Sequence, residues 1–134
     1  MSRLSRSAFL ALIVAQAAHS IEEYFFRLFD VFAPARFVSG LLSSDLALGF
    51  ALANLLLVSF GVWCYLARVR RDHPLGRGFA WFWAVLEFAN GVGHSRLALS
   101  QGYFPGAATA PLLLGVSTYL AVTLARSSTQ PAVR

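Results

Sequence analysis

The sequence predicts an all-α fold, a polytopic membrane four-helix bundle. Hydrophobic residues make up 57% of the 134-residue chain and charged residues only 13%, about half of the roughly 25% that soluble domains carry. The apolar residues also fall into four runs of helical length, separated by short segments that contain Arg, Gly or Pro. At this length the chain is expected to form a single domain over residues 1–134.

The first apolar run begins at Ala8 and reaches Phe26. About 20 apolar residues suffice for a helix to cross the hydrocarbon core of a bilayer. The alternative is a signal peptide that ends near residue 17, because Ala15-Gln16-Ala17 resembles a small-residue cleavage site. The apolar character continues past this point, which favours a retained helix over residues 8–26.

Three further helices are predicted after a segment that is too interrupted to span. Residues 27–44 mix Phe with Arg, Asp and Pro, a composition typical of chain lying at the membrane interface. Ser44-Asp45 is the predicted N-cap of the second helix, residues 46–67. An Arg-rich turn with Pro and Gly leads to the third helix, residues 79–99, and a short turn leads to the fourth, residues 107–125.

The distribution of Arg predicts the orientation. All eleven basic residues are Arg, and eight of them lie on one side of the predicted bundle: Arg3, Arg6, Arg68, Arg70, Arg71, Arg77, Arg126 and Arg134. The other three lie at or near the opposite side: Arg27, Arg36 and Arg96. The positive-inside rule therefore places both termini in the cytoplasm, in a bacterial-type plasma membrane. These clusters account for the net charge of +5, so we expect membrane lipid and not nucleic acid as a partner.

One face of the first helix carries three ionisable side chains, His19, Glu22 and Glu23. At about 100° per residue, Glu22 lies about 60° to one side of His19 and Glu23 about 40° to the other, so the three can converge on one point. Ionisable groups at membrane depth are costly unless they find partners. The pattern therefore predicts a buried polar or metal-binding site.

The third helix carries a matching cluster, because Glu87, Asn90 and His94 lie on one stripe. With a rise of about 1.5 Å per residue, His19 lies about 18 Å along the first helix and His94 about 23 Å along the third, which runs in the same direction. The two clusters are therefore predicted to share one layer of the membrane. The other two helices place polar side chains at comparable depth: Asn54 and Tyr119.

Three short motifs occur in order along the chain. They are His-x-x-Glu-Glu at residues 19–23, Asn90-Gly91-Val92-Gly93-His94, and Tyr103-Phe104-Pro105-Gly106. Together they cover nearly the whole chain and resemble the HXXEE family of small integral membrane proteins. The resemblance implies a topology and a site built from the motif residues, but it implies no reaction. Glu87 is not a motif residue, so its candidacy rests on helical spacing alone.

Three interpretations of the polar cluster remain open. In the first, His19, Glu22, Glu23 and His94 bind one Zn or Fe ion; a di-iron site would lack ligands, because helical-bundle sites of that kind use more carboxylates. The second is a metal-free acid/base pair or proton path. The third is an internally paired cluster that only holds the helices together.

The function that this site favours is a metal-dependent membrane enzyme acting on a lipid-soluble small molecule. Glu22, Glu87 and Asn90 are then the candidate catalytic residues, which orient a ligand or move a proton. The alternatives are an acid/base isomerase or proton-shuttling protein, and a non-catalytic structural or partner-binding membrane protein. The sequence lacks a nucleotide-binding Gly-rich loop, a nucleophile elbow, a Cys-based zinc motif and a haem-attachment motif, which excludes those enzyme classes.

Overall fold

The computed structural model describes residues 1–127, and every regular element within them is helical. This confirms the all-α prediction for that part of the chain. In order, the elements are α1 (Arg3–Phe25), α2 (Leu28–Val31), α3 (Ala33–Leu42), α4 (Leu46–Trp63), a π-helical turn (Cys64–Val69), α5 (Gly76–Gln101) and α6 (Ala110–Arg126). Arg134, which entered the predicted orientation, lies outside the described residues.

The four long helices fall on the four apolar runs, and capping side chains set two of their starts. The Ser2 side chain accepts a hydrogen bond from the Ser5 backbone N–H, and α1 therefore begins at Arg3, earlier than the predicted residue 8. Asp45 caps α4 as predicted, because its side chain accepts from the first N–H groups of that helix. At the other end, α4 continues as the π-helical turn to Val69.

The segment between α1 and α4 folds into two short helices. Arg27, at a φ of 56°, lies in the left-handed region and ends α1. Helix α3 then packs closely on α4 through Ser39 and Gly49. A Cβ atom at Gly49 would lie 2.1 Å from the Ser39 carbonyl oxygen, so only glycine permits this approach.

The main core lies between α1, the end of α4, α5 and α6. Helix α1 packs against both α4 and α6, and α6 packs against α5. Large side chains from these helices are fully buried there: Phe9, Leu12, Trp83, Leu113, Leu120 and Leu124. The Cys64 thiol is free and buried in the same cluster. A second cluster joins Leu28, Phe29, Phe50 and Phe104.

Two helical stretches within residues 1–127 are long and apolar enough to cross a membrane: Arg3–Phe25 and Leu46–Val69. They differ in burial, since half of the α1 window is buried but only 17% of the α4 window is. Helix α4 exposes a continuous set of large apolar side chains: Leu48, Leu52, Leu55, Leu56 and Phe60. Contiguous apolar surface of this kind marks contact with lipid or with another protein.

Candidate metal centre

His19 and Glu23 of α1 meet His94 of α5 in the interior of the bundle. One carboxylate oxygen, Glu23 Oε1, lies 3.3 Å from His19 Nε2 and 3.1 Å from His94 Nε2. The three possible ligand atoms all lie within 4.8 Å of one another, and the two imidazole rings are nearly perpendicular at 86°. All three residues are buried. The structure therefore brings together three of the four predicted metal ligands.

Each imidazole is held through its Nδ1 atom by a different neighbour. His94 Nδ1 lies 2.7 Å from the Pro105 carbonyl oxygen, which can only accept, so Nδ1 carries the proton. His19 Nδ1 lies 2.7 Å from Thr109 Oγ1, and that hydroxyl donates to Glu22 Oε2 at 2.6 Å. The threonine hydroxyl therefore accepts from His19. In its neutral form each ring keeps the Nε2 lone pair on the side that faces Glu23.

Two imidazole nitrogens and a carboxylate oxygen at this separation need a proton or a metal ion between them. His19 Nε2 is buried without a hydrogen-bond partner, although it lies 3.3 Å from Glu23 Oε1, so the contact is close but is not aligned as a hydrogen bond. Ligand–metal bonds of about 2.0–2.2 Å at tetrahedral or octahedral angles separate the ligand atoms by about 3.0–3.5 Å. The two distances from Glu23 Oε1 fall in that range. The third separation, between the two imidazole nitrogens, is within 4.8 Å, so this donor set is a candidate for one divalent metal ion.

The sequence predicts Glu22 as a metal ligand, but its carboxylate lies outside this cluster. Its carboxylate accepts from the backbone N–H groups of Ala108 and Thr109, at 3.0 and 2.8 Å, and from the Thr109 hydroxyl. These groups lie at the N-terminus of α6, where orphan N–H groups and the helix dipole attract a carboxylate. Glu22 therefore ties α1 to α6 and reaches His19 through Thr109.

The connection between α5 and α6 covers the two imidazoles. Phe104 is buried, with its ring centroid 5.4 Å from that of His94. Gly106 has a φ of 89°, and a Cβ there would lie 2.6 Å from His19 Cε1 and from His94 Nδ1. The Tyr103–Gly106 motif is a turn in sequence terms, and in the structure it also packs over the two imidazoles.

Glu87 and Asn90, the other candidate catalytic residues, lie in a separate polar chain. Glu87 is buried, and Asn90 Nδ2 donates to its carboxyl at 3.3 Å. On its other side the same carboxyl contacts the Gln16 side chain, 2.6 Å from Glu87 Oε2. Gln16 in turn contacts Ser20 at 3.1 Å, and Ser20 Oγ donates to Asn54 Oδ1 at 2.6 Å. The chain thus runs from α5 through α1 to α4.

The number of available polar hydrogens decides which atom donates in each hydrogen bond of this polar chain. If the Gln16 nitrogen faced Glu87, the Gln16 oxygen and Asn54 would both need the single proton of Ser20. With the nitrogen on Ser20, each contact has one donor, and Glu87 supplies a carboxyl proton to the Gln16 oxygen. We favour this second arrangement because it leaves no close oxygen pair without a proton. All donors then point from Glu87 towards Asn54.

The remaining predicted lining residues lie apart from the imidazoles. Asn54 contacts Ser20, next to His19 in sequence but on the side of α1 that faces α4. Tyr119 is half exposed and lines an outer groove between α1 and α6. The polar side chains that were predicted to share one layer therefore form two neighbouring features, a His/Glu centre and a polar chain.

Sequence reasoning missed one residue of the polar chain and two that hold the His/Glu centre. Gln16 could have been found, because it lies one turn before His19 and Ser20 on a buried stripe of α1. Thr109 and the carbonyl oxygen of Pro105 had no such signal. Their role depends on how the loop after α5 folds back over the imidazoles.

No protein-family model, curated protein sequence or solved structure matches this chain. The residues of the centre are therefore assigned by their geometry and by the chemistry of their donor atoms.

Proposed function

We propose that the protein is a member of the HXXEE family, an integral membrane four-helix bundle that binds one divalent metal ion through His19, Glu23 and His94. Membrane insertion is supported by the exposed apolar surface of α4 and by the two stretches long enough to span. Metal binding is supported by one observation above all: the Nε2 atoms of both imidazoles face a single carboxylate oxygen at 3.1–3.3 Å. We place the protein in a bacterial-type plasma membrane with both termini in the cytoplasm.

Two imidazoles and one carboxylate leave at least one coordination position free. Three protein ligands plus an open position are typical of catalytic zinc sites, and two His with one carboxylate also bind non-haem Fe(II). The metal would supply Lewis acidity or an activated water at that position. In a membrane-embedded site the substrate is a lipid-soluble small molecule. We therefore propose a metal-dependent enzyme that acts on such a molecule.

This chemistry is supported by the side chains and backbone groups that hydrogen-bond to the proposed ligands. Pro105 and Thr109 hold the two imidazoles in the tautomer that binds metal, and Glu22 holds Thr109. Glu87 is a buried acid of α5 with Asn90 and Gln16 beside it, and it would hold one proton where α5 packs against α1.

A structural metal site is the second candidate, and the burial of all three ligands favours it. His19 is fully buried and the exposed fraction of Glu23 and His94 is 6% each, so a substrate reaches the metal only if the loop over the imidazoles moves. A site of this kind would join α1 to α5 without catalysing a reaction.

Metal analysis of the detergent-purified protein tests the proposal. The protein is incubated with Zn²⁺, or anaerobically with Fe²⁺, then desalted and analysed by mass spectrometry of the elements. We expect about one metal per chain in the wild type and loss of that metal in His19→Ala and His94→Ala. His73→Ala is the matched control, because His73 lies in the turn between α4 and α5. Absence of metal in the wild type, or full retention in both site variants, contradicts metal binding.

Thermal unfolding with and without a chelator separates the two candidates. Any metal that binds the native state raises the melting temperature by mass action, so the state of the metal-free protein separates the candidates. If the metal is structural, the chelated protein should lose its cooperative melting transition. A chelated protein that still melts cooperatively and binds the metal again favours the enzyme.

A further inference from the structure

A groove of about 330 Å³ lies between α1 and α4, on the face of α1 next to the metal centre. Its walls are almost wholly apolar, and they include Ile21, Phe25, Leu55 and Val58. Its volume lies in the range of pockets that hold small molecules, about 300–1,000 Å³. One of its walls is α4, the helix with the large exposed apolar surface, so the groove opens towards the lipid in the proposed membrane.

The hydrogen-bonding side chains of this groove include the end of the polar chain, Ser20 and Asn54. Within residues 1–127, Asn54 Oδ1 accepts from Ser20, and Asn54 Nδ2 donates once, to the Phe50 carbonyl oxygen at 3.1 Å. An amide nitrogen carries two N–H groups, so one donor of Asn54 is left for another partner. Asn54 therefore offers a spare donor to an acceptor oxygen of a ligand in this apolar groove, where Tyr24 is a further lining residue.

The depth of Asn54 separates such a ligand from bulk phospholipid. Asn54 lies eight residues after the start of α4 at Leu46, which is about 12 Å along the helix. At that depth the phospholipids around a spanning helix present hydrocarbon, because their ester and headgroup oxygens lie at the interface. A spare N–H there is costly unless an oxygen is brought to it within the membrane.

We propose that this groove binds a lipid-soluble molecule with a long apolar body and one carbonyl oxygen, a long-chain ketone or aldehyde, which accepts a hydrogen bond from Asn54. The polar chain that begins at Glu87 fixes the Asn54 amide, so Gln16 and Ser20 are positioning residues. The site lies on a different face of α1 from His19 and Glu23. It rests on the proposed membrane insertion, but it does not require the metal.

Photolabelling of the full chain in nanodiscs tests this assignment. The probe is a long-chain ketone that carries a diazirine, and the comparison probe has the same chain and diazirine without the carbonyl. We expect the ketone to label peptides of α1 and α4 saturably, and unlabelled ketone to compete. The chain without the carbonyl should label the exposed face of α4 without saturation. Equal, unsaturable labelling by both probes would mean ordinary lipid contact and would overturn the proposal.

Three variants locate the site. Ala51→Phe fills the groove and should abolish saturable labelling, whereas Leu48→Phe, which adds the same ring elsewhere on the exposed face of α4, should not. Asn54→Leu should raise the half-saturating concentration about three- to tenfold, the loss expected for one hydrogen bond in a membrane protein. Unchanged labelling in Ala51→Phe contradicts the proposal even if Asn54→Leu fails to fold. His94→Ala should label as the wild type does, because the groove does not need the metal. The metal proposal can therefore fail without changing this result.

Discussion

The Pro105 carbonyl oxygen accepts a hydrogen bond from Nδ1 of His94 at 2.7 Å, so a loop residue decides which nitrogen of the α5 imidazole is free. Thr109 does the same for the α1 imidazole. Both contacts come from the connection between α5 and α6, and both direct Nε2 towards Glu23. The loop therefore sets the chemistry of the centre without supplying a ligand itself.

Gly106→Ala should weaken metal binding more than any other small change in this loop. A Cβ there would lie 2.6 Å from both imidazoles, and the φ of 89° adds backbone strain of about 1–2 kcal/mol. Gly102→Ala is the matched control, because Gly102 has a similar φ of 87° but no atom within 4 Å of its added Cβ. Both variants should melt at a lower temperature, and only Gly106→Ala should lose metal. Equal metal content in the two variants would show that Gly106 does not pack on the imidazoles.

Thr109→Val should lower metal affinity about 10–100-fold, the usual cost of removing a partner behind a histidine ligand. Valine keeps the size of threonine but cannot accept the proton of His19 Nδ1 or donate to Glu22. Competition between the protein and a chromophoric chelator measures the affinity. Thr109→Ser keeps the hydroxyl and should bind metal as the wild type does. Similar affinities for Val and Ser would remove Thr109 from the site.

Glu22→Gln and Glu23→Gln should separate the two adjacent carboxylates. Glu23 lies between the two Nε2 atoms, so Glu23→Gln should lose the metal. Glu22 accepts at the N-terminus of α6, so Glu22→Gln should keep the metal stoichiometry and lose about 1 kcal/mol of stability, the usual worth of a charged cap. Elemental analysis and denaturant unfolding of both variants decide between them. Loss of metal in Glu22→Gln alone would restore the sequence-based assignment of Glu22 as a ligand.

Asp72 should give the protein an acid-sensitive contact at the predicted cytoplasmic end. The amino group of Met1, which lies 3.1 Å away, and the Arg6 guanidinium hold the pKa of the Asp72 carboxyl below its usual value. A depressed pKa adds stability above the unfolded value of about 3.9, and that stability is lost as the pH falls through the folded pKa. Asp72→Asn should therefore flatten the acid limb of the melting temperature against pH.

This effect of Asp72 is small because the side chain is exposed, and added salt should reduce it further. An acid limb that is identical in wild type and Asp72→Asn at low salt would show that the contact does not contribute to stability.

The sequence by itself determined where the long helices form and which ionisable residues share a helix face. Apolar runs of helical length are a local property, and the described helices fall on them. The i, i+4 spacing of His19 and Glu23 places both on one face of α1 whatever the rest of the chain does. Asp45 was likewise identifiable as a cap from its place before an apolar run.

Only the tertiary structure decided which polar groups meet. Helical spacing does not distinguish which of Glu22 and Glu23 shares a site with His19, because they lie at similar angles on either side of it. The N-terminus of α6 decides between them, because its N–H groups donate to the Glu22 carboxylate and leave Glu23 to face His94. Nothing in the local sequence of α1 records where α6 begins, since that position depends on the fold of a loop far along the chain.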